Sequence, residues 1–237
     1  MPSQWLTADH LLVIAHRGAS AAAPENTLAA FTLAAEQGAD GIELDVRRTQ
    51  DDRLVVIHDE TLDRTSDGHG AIAEMTAGAV RRADAGKWFD PKFTGERIPL
   101  LAEALDAARG RLLVDVELKE ADLDELVIAA VREAGMDEAV LLTSFHAPAL
   151  RAAAAQNLPV GLLFEHGDVD QALAIDAAVA LPKVDLLSAD LVAACRRRGV
   201  RVIPWTARTE AQVRHAVDLG VDGIIADDPL LVRRVIG

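Results

Sequence analysis

Two histidines, three carboxylates, an arginine and a lysine fall at or near the ends of apolar runs. His16-Arg17 follows the run 11–15. Glu43 and Asp45 alternate with Ile42, Leu44 and Val46. His58 follows the run 54–57, and Glu117 and Lys119 close the run 112–118. Successive side chains of a strand point to opposite faces. Glu43 and Asp45 therefore share one face, and Asp115, Glu117 and Lys119 share the corresponding face of another strand. Anions turned into a fold are costly unless a cation joins them. Glu43, Asp45 and Glu117 offer oxygen donors suited to one hard divalent cation, Mg²⁺ or Ca²⁺. Arg17 can take two oxygens of a phosphate side by side, and Lys119 can neutralise another. Imidazole side chains ordinarily titrate near neutral pH, so His16 and His58 suit a base and an acid. A cation, two basic groups and two imidazoles around one point fit phosphoryl transfer at a diester. The other histidines, His10, His69, His146, His166 and His215, lack such company, though His146, just past a strand end, could still reach the rim.

These residues need a scaffold that brings strand ends together. Apolar runs of strand length at 11–15, 42–46, 54–57, 112–118, 140–143, 160–164, 186–187, 200–205 and 223–226 alternate with Ala/Leu-rich helix-like stretches. The helices are expected at 27–37, 100–108, 122–134, 147–156, 168–179, 190–198 and 209–219, with a last one after Pro229. Repeated βα units imply parallel strands with helices outside. No glycine-rich dinucleotide or nucleotide-phosphate motif is present, which favours a closed (β/α) barrel over a doubly wound sheet. In such a barrel the active site lies at the C-terminal ends of the strands. Nine strand candidates exceed the eight a barrel needs. The polar turn between 47 and 54 is too short for a parallel crossover, so those two runs are expected to form an antiparallel hairpin, with one arm outside the barrel. From 61 to 97 the alternation breaks, with one short helix near 74–82. That stretch reads as an insertion over one end of the fold, either a lid or a decorative excursion. One domain spanning 1–237 follows.

The formal net charge of −14 leaves no basic stripe for a nucleic acid and disfavours docking on an anionic membrane. The one cysteine, Cys195, fits a reducing compartment. The apolar run near the start is too short for a secretion signal or a membrane span, and a cytoplasmic protein is expected. The sequence leaves the oligomeric state open.

The pieces 16-HRGAS-20, 24-PENTLAAF-31, 41-GIELDVRRTQDDRLVVIHDETLDRTSDGHG-70, 115-DVELK-119, 143-TSF-145, 203-IPWT-206 and 220-GVDGIIADDP-229 stand in order along nearly the whole chain. In this the chain resembles the glycerophosphodiester phosphodiesterase family of the bacterial cytosolic type. The resemblance implies a (β/α)₈ TIM barrel with a small segment inserted after the second histidine. It implies divalent-metal-dependent hydrolysis of glycerophosphodiesters to sn-glycerol 3-phosphate and an alcohol. Family roles fall on His16 and His58 as the acid/base pair, on Glu43, Asp45 and Glu117 as metal ligands, and on Arg17 and Lys119 at the phosphate. Phe145 and Trp205 would form an apolar wall beside the glycerol. First attack by the substrate's own glycerol hydroxyl, through a cyclic phosphate, is the usual family route, with direct water attack as the alternative. Where many relatives carry Val-Asn after Trp-Thr, this chain has Ala207-Arg208, and Arg208 is expected to widen or recharge the mouth of the site. A phospholipase acting on lysophospholipids and a non-catalytic metal- or phosphate-binding barrel are the competing readings. The first would need an apolar or basic approach surface, the second the loss of a histidine or carboxylate.

Overall fold

Parallel strands covered by helices are buried on both faces and read as continuous apolar runs. Leu113–Leu118 behaves in this way, buried at all of its positions despite carrying Asp115 and Glu117. The computed structural model describes residues 3–166, 175 and 177–237. The strands are β1 (Leu12–His16), β2 (Gly41–Arg48), β3 (Leu54–Val56), β4 (Leu113–Leu118), β5 (Val140–Ser144), β6 (Val160–Phe164), β7 (Val179–Pro182), β8 (Arg201–Val202) and β9 (Gly223–Ala226). The sheet order is β8-β7-β6-β5-β4-β2-β1-β9, with every neighbour parallel. Backbone hydrogen bonds from Asp222 to Val202 and from Ala207 to Ile225, both 2.9 Å, draw the two ends of the path together. The result is a nearly closed barrel of eight parallel strands, the expected (β/α)₈ architecture. Among the described strands β3 pairs only with β2, antiparallel to it, and its Val55 bridges Leu100 on the other edge, so it is the hairpin arm outside the barrel.

The described helices are α1 (Gln4–Thr7), α2 (Leu28–Glu36), α3 (Ala77–Val80), α4 (Leu101–Ala108), α5 (Asp124–Glu133), α6 (Arg151–Ala155), α7 (Ala189–Arg197), α8 (Glu210–Leu219) and α9 (Pro229–Ile236). Their ends follow local chemistry. The Thr27 side chain accepts from the Ala30 N–H to start α2, and the Thr209–Gln212 capping box starts α8.

One strand was misplaced by sequence reasoning. The expected strand 186–187 is the end of a 3-10 turn, Val184–Leu186, while Val179–Pro182 takes the place between β6 and β8. The alanines before Val179 give the stretch a helix-like composition, and only pairing with Gly161 and Arg201 identifies it as a strand. The part of the expected 168–179 helix at 168–174 and 176 lies outside the described residues. β8 is also shorter than the expected 200–205 run, because Pro204 has no N–H for the ladder; pairing resumes at Trp205, whose N–H donates to Pro182 O at 3.0 Å.

Inside the barrel the inward positions change from apolar to polar along the strands. Ile14 gives way to His16, Leu113 to Asp115 and Glu117, Leu141 to Thr143, and Ile225 to Asp227. The apolar ends form one cluster with the fully buried Trp5 of α1, whose indole N–H donates to Ala139 O at 2.9 Å. Trp5 therefore seals the N-terminal end, and the polar residues are left at the C-terminal end. The stretch 61–97 carries α3, within the region expected to be helical, and short turns on either side. It packs a separate small core of Val55, Ile57, Leu62, Ile72, Val80 and Ile98.

Candidate active site

β1, β2 and β4 run side by side, with His16 level with Glu43 and Asp45 level with Glu117. Register alone thus gathers the carboxylates. Ligand atoms of Glu43, Asp45 and Glu117 lie within 4.8 Å of one another, and all three residues are buried. Glu43 Oε2 accepts from the backbone N–H of Arg17 at 2.9 Å, while Oε1 is buried with no hydrogen-bond partner. Asp45 Oδ2 accepts from Asn26 Nδ2 at 2.7 Å and stands 3.3 Å from Arg17 Nε. Lys119 Nζ pairs with Asp45 Oδ1 at 2.9 Å and with Glu117 Oε1 at 2.6 Å.

Burial, with Asp45 and Glu117 beside it, pushes the Glu43 carboxyl well above its ordinary range. Burial, reinforced by Asp45 and partly offset by Lys119, raises Glu117 to about 7. Burial works against the ionisation of Asp45 too, yet Lys119 and Arg17 hold it well below the usual carboxylate range. Below this group Asp115 accepts from Thr143 Oγ1 at 2.6 Å, and burial lifts it to about 8. A crowd of anions that burial forces toward protonation, with an orphaned oxygen on Glu43, is what an oxygen-coordinated divalent cation would relieve. The donor set fits such an ion.

Both predicted histidines line the same cavity of about 330 Å³, together with Arg17, Glu43, Glu117, Lys119, Phe145 and Trp205. His16 Nδ1 lies 2.6 Å from Asp227 Oδ1, and His58 Nδ1 lies 2.7 Å from Asp59 Oδ1. A carboxylate opposite Nδ1 fixes the proton there and leaves Nε2 as the basic nitrogen. Burial opposes ionisation of Asp227, but hydrogen bonds from His16 and Arg208 bring it to about 2. Burial lowers His58 from its ordinary value, outweighing the pull of Asp45. Phe145 and Trp205 meet edge to face with ring centroids 5.3 Å apart. The structure thus brings every predicted site residue to one end of the barrel. His146 is exposed and outside the cavity lining.

Residues 16–231 match the model of the glycerophosphoryl diester phosphodiesterase family. The chain belongs to this family. A glycerophosphodiester phosphodiesterase of Caldanaerobacter subterraneus is 42% identical over 92% of this chain and 94% of its own length. A crystal structure of a glycerophosphodiester phosphodiesterase from Agrobacterium tumefaciens superimposes with a TM-score of 0.85 at 34% identity, over 95% of this chain and 100% of that one. An Oleispira antarctica phosphodiesterase solved in complex with the product sn-glycerol-3-phosphate gives 0.86 at 30% identity, over 95% and 96%. The family resemblance read from the sequence, and with it the assignment to the phosphodiester-hydrolysing enzymes, is borne out. No helix among the described residues is long and apolar enough to cross a membrane.

Within this family frame, four polar residues around the site were given no role by sequence reasoning. Asn26 has a positive φ of 58° and holds Asp45 from both sides, as donor to Oδ2 and acceptor from the Asp45 N–H. Asn tolerates that conformation better than most residues, which was the available signal. Asp227 sits at a strand end but is 211 positions from His16, so only the fold joins them. Asp59 and Glu25 lie next to recognised motif residues without any periodicity to single them out. Arg208 is expected to widen or recharge the mouth. Its Nε donates to Asp227 Oδ2 at 2.9 Å, beside the oxygen that faces His16, and it lies outside the cavity lining.

Proposed function

We propose that this chain hydrolyses glycerophosphodiesters to sn-glycerol 3-phosphate and an alcohol, using one divalent cation, Mg²⁺ or Ca²⁺, and two histidines as acid and base. The observation that carries the reading is the pair of imidazoles, each held at Nδ1 by an aspartate, lining one cavity with a buried carboxylate trio. Glu43, Asp45 and Glu117 would hold the cation, which would supply positive charge against the phosphoryl oxygens of the transition state. Arg17 and Lys119 hold the phosphate from the protein side. As they do so they would give up part of their pairing with Asp45 and Glu117, carboxylates whose charge a bound cation would neutralise in their place. His16 and His58 act through Nε2. One accepts the proton of the attacking oxygen and the other returns one to the leaving alcohol, a contribution of ~10²–10⁴-fold. Phe145 and Trp205 form the apolar wall for the glycerol carbons. The product bound in the Oleispira relative supports glycerol 3-phosphate as the retained half. The whole chain acts as one catalytic unit, with 61–97 as an insertion.

The test is a coupled assay. Chelator-stripped protein is given glycerophosphocholine, glycerophosphoethanolamine and glycerophosphoglycerol, with and without Mg²⁺ or Ca²⁺, and glycerol 3-phosphate is followed. Release that depends on the added ion is expected. Absence of release from all three by folded protein would contradict the proposal, and lysophospholipids would then be tried.

A further inference from the structure

The stretch 61–97 contributes one side chain that reaches back toward the site. Arg64 forms a fork to two carboxylates at once. Its Nε and Nη2 donate to Asp59 Oδ2 and Oδ1 at 2.7 and 2.9 Å, and its Nη2 and Nη1 donate to Glu25 Oε1 and Oε2 at 2.8 and 2.9 Å. The oxygens shared through Nη2 are the same two that hold the site. Asp59 Oδ1 is the partner of His58 Nδ1 at 2.7 Å, and Glu25 Oε1 accepts from Arg17 Nη1 at 2.8 Å. One planar guanidinium therefore links an imidazole on the hairpin arm to the guanidinium that faces the phosphate. Lysine cannot span two carboxylates in this way.

The backbone that carries Arg64 is fixed on both sides. Leu62 is buried in the small core of the 61–97 stretch, and Ser66 Oγ donates to Leu62 O at 2.7 Å. The His58 backbone is tied to β2, since Arg47 Nε donates to His58 O at 2.8 Å, and the other edge of β3 meets Pro99 and Leu100 rather than a barrel strand. What Arg64 adds is at the side chain, through Asp59.

We propose that Arg64 is a positioning residue that sets His58, through Asp59, and Arg17, through Glu25, in one geometry. The inference rests on the roles given above to His58 and Arg17. It makes the 61–97 stretch a brace for the site. Removing the guanidinium leaves Asp59 and Glu25 as like charges without their common partner. Asp59 then turns from His58, which slows turnover, and Glu25 no longer sets Arg17, which weakens substrate binding.

The experiment is a mutant cycle on the metal-loaded enzyme with a glycerophosphodiester. Arg64→Ala is expected to lower kcat roughly tenfold or more and to raise KM about threefold, as misplaced groups do. Asp59→Asn should reproduce mainly the kcat loss and Glu25→Gln mainly the KM rise. In an Asp59→Asn/Glu25→Gln background, adding Arg64→Ala should cost less than about twofold further, because its route is already cut. Arg64→Lys, which keeps the charge, should show part of both losses, and it carries the test if Arg64→Ala fails to fold. Wild-type kcat and KM in a folded Arg64 variant, or losses that multiply independently in the triple variant, would overturn the proposal. His58→Ala is run alongside. Full activity there would remove the assumed role of His58; loss there with an unaffected Arg64 variant would remove the bracing alone.

Discussion

His16 and His58 have the same local chemistry and different mechanical support. His16 ends a central barrel strand paired on both sides, and its aspartate directly follows β9, the next strand around. Its side chain is 13% exposed. His58 follows the hairpin arm, its aspartate is the next residue in the chain, and it is 34% exposed. One imidazole is held by the barrel itself. The other is held at its carbonyl by Arg47 of β2, and at its ring by the neighbouring Asp59, which Arg64 of the 61–97 stretch holds in turn. The lesson is that the two members of the proposed acid/base pair rest on differently braced parts of one chain, so they should respond differently to damage.

The largest effect is expected where both histidines depend on the same neighbours. Glu117→Gln should cost about 10²-fold or more in turnover, because the proposed cation, which would supply several kcal/mol of transition-state stabilisation, would lose a ligand. The carboxylate trio also predicts the sign of a pH effect. Glu117 titrates at about 7 in the folded protein against an ordinary 4.5. The cation-free folded protein then binds more protons than the unfolded chain between those values, so its stability should fall as pH rises through that window. Cation affinity should rise over the same window, with proton release on binding, since only the ionised carboxylates coordinate. Calorimetry of stripped protein in buffers of different ionisation enthalpy would check both; affinity flat from pH 5 to 8 would break the assignment.

Next, the two aspartates separate the two histidines. Asp227→Asn and Asp59→Asn should each lower kcat by up to ~10²-fold, as the imidazole loses its orientation. Asp227→Asn also deprives Arg208 of its partner, whereas Asp59→Asn leaves Arg64 its bidentate contact with Glu25. A smaller effect on turnover should follow Ile72→Ala, which opens a cavity in the small core at a cost of roughly 2–5 kcal/mol. On heating, activity of that variant should fade before the barrel's far-ultraviolet signal does. Coincident loss would show that the two pieces do not separate. The smallest effect on turnover is expected from Trp5→Ala. It should lower Tm strongly, at about 3–5 kcal/mol, while kcat at 25 °C stays near wild type, since Trp5 seals the far end.

The barrel and most of the site were legible because both are written in short-range patterns. Alternation placed Glu43 with Asp45 and Asp115 with Glu117 and Lys119, and the parallel register did the rest. The hairpin was legible from its short turn. β7 was not, because four residues ending in proline carry too little pattern against an alanine-rich approach. The Nδ1 partner of His16 was illegible for a different reason: Asp227 meets it only when β9 closes beside β1. The fork of Arg64 is a contact among three loops, and no periodicity records it.

The most direct test of the acid/base pair is kinetic, with metal present throughout. His16→Ala and His58→Ala would be assayed on glycerophosphocholine and on the p-nitrophenyl ester of glycerol 3-phosphate, whose leaving group needs no proton. Both variants should lose about 10²-fold or more on the choline diester, and one of them alone should recover on the aryl ester, which names it as the acid. Wild-type turnover of the choline diester by either variant would contradict the account.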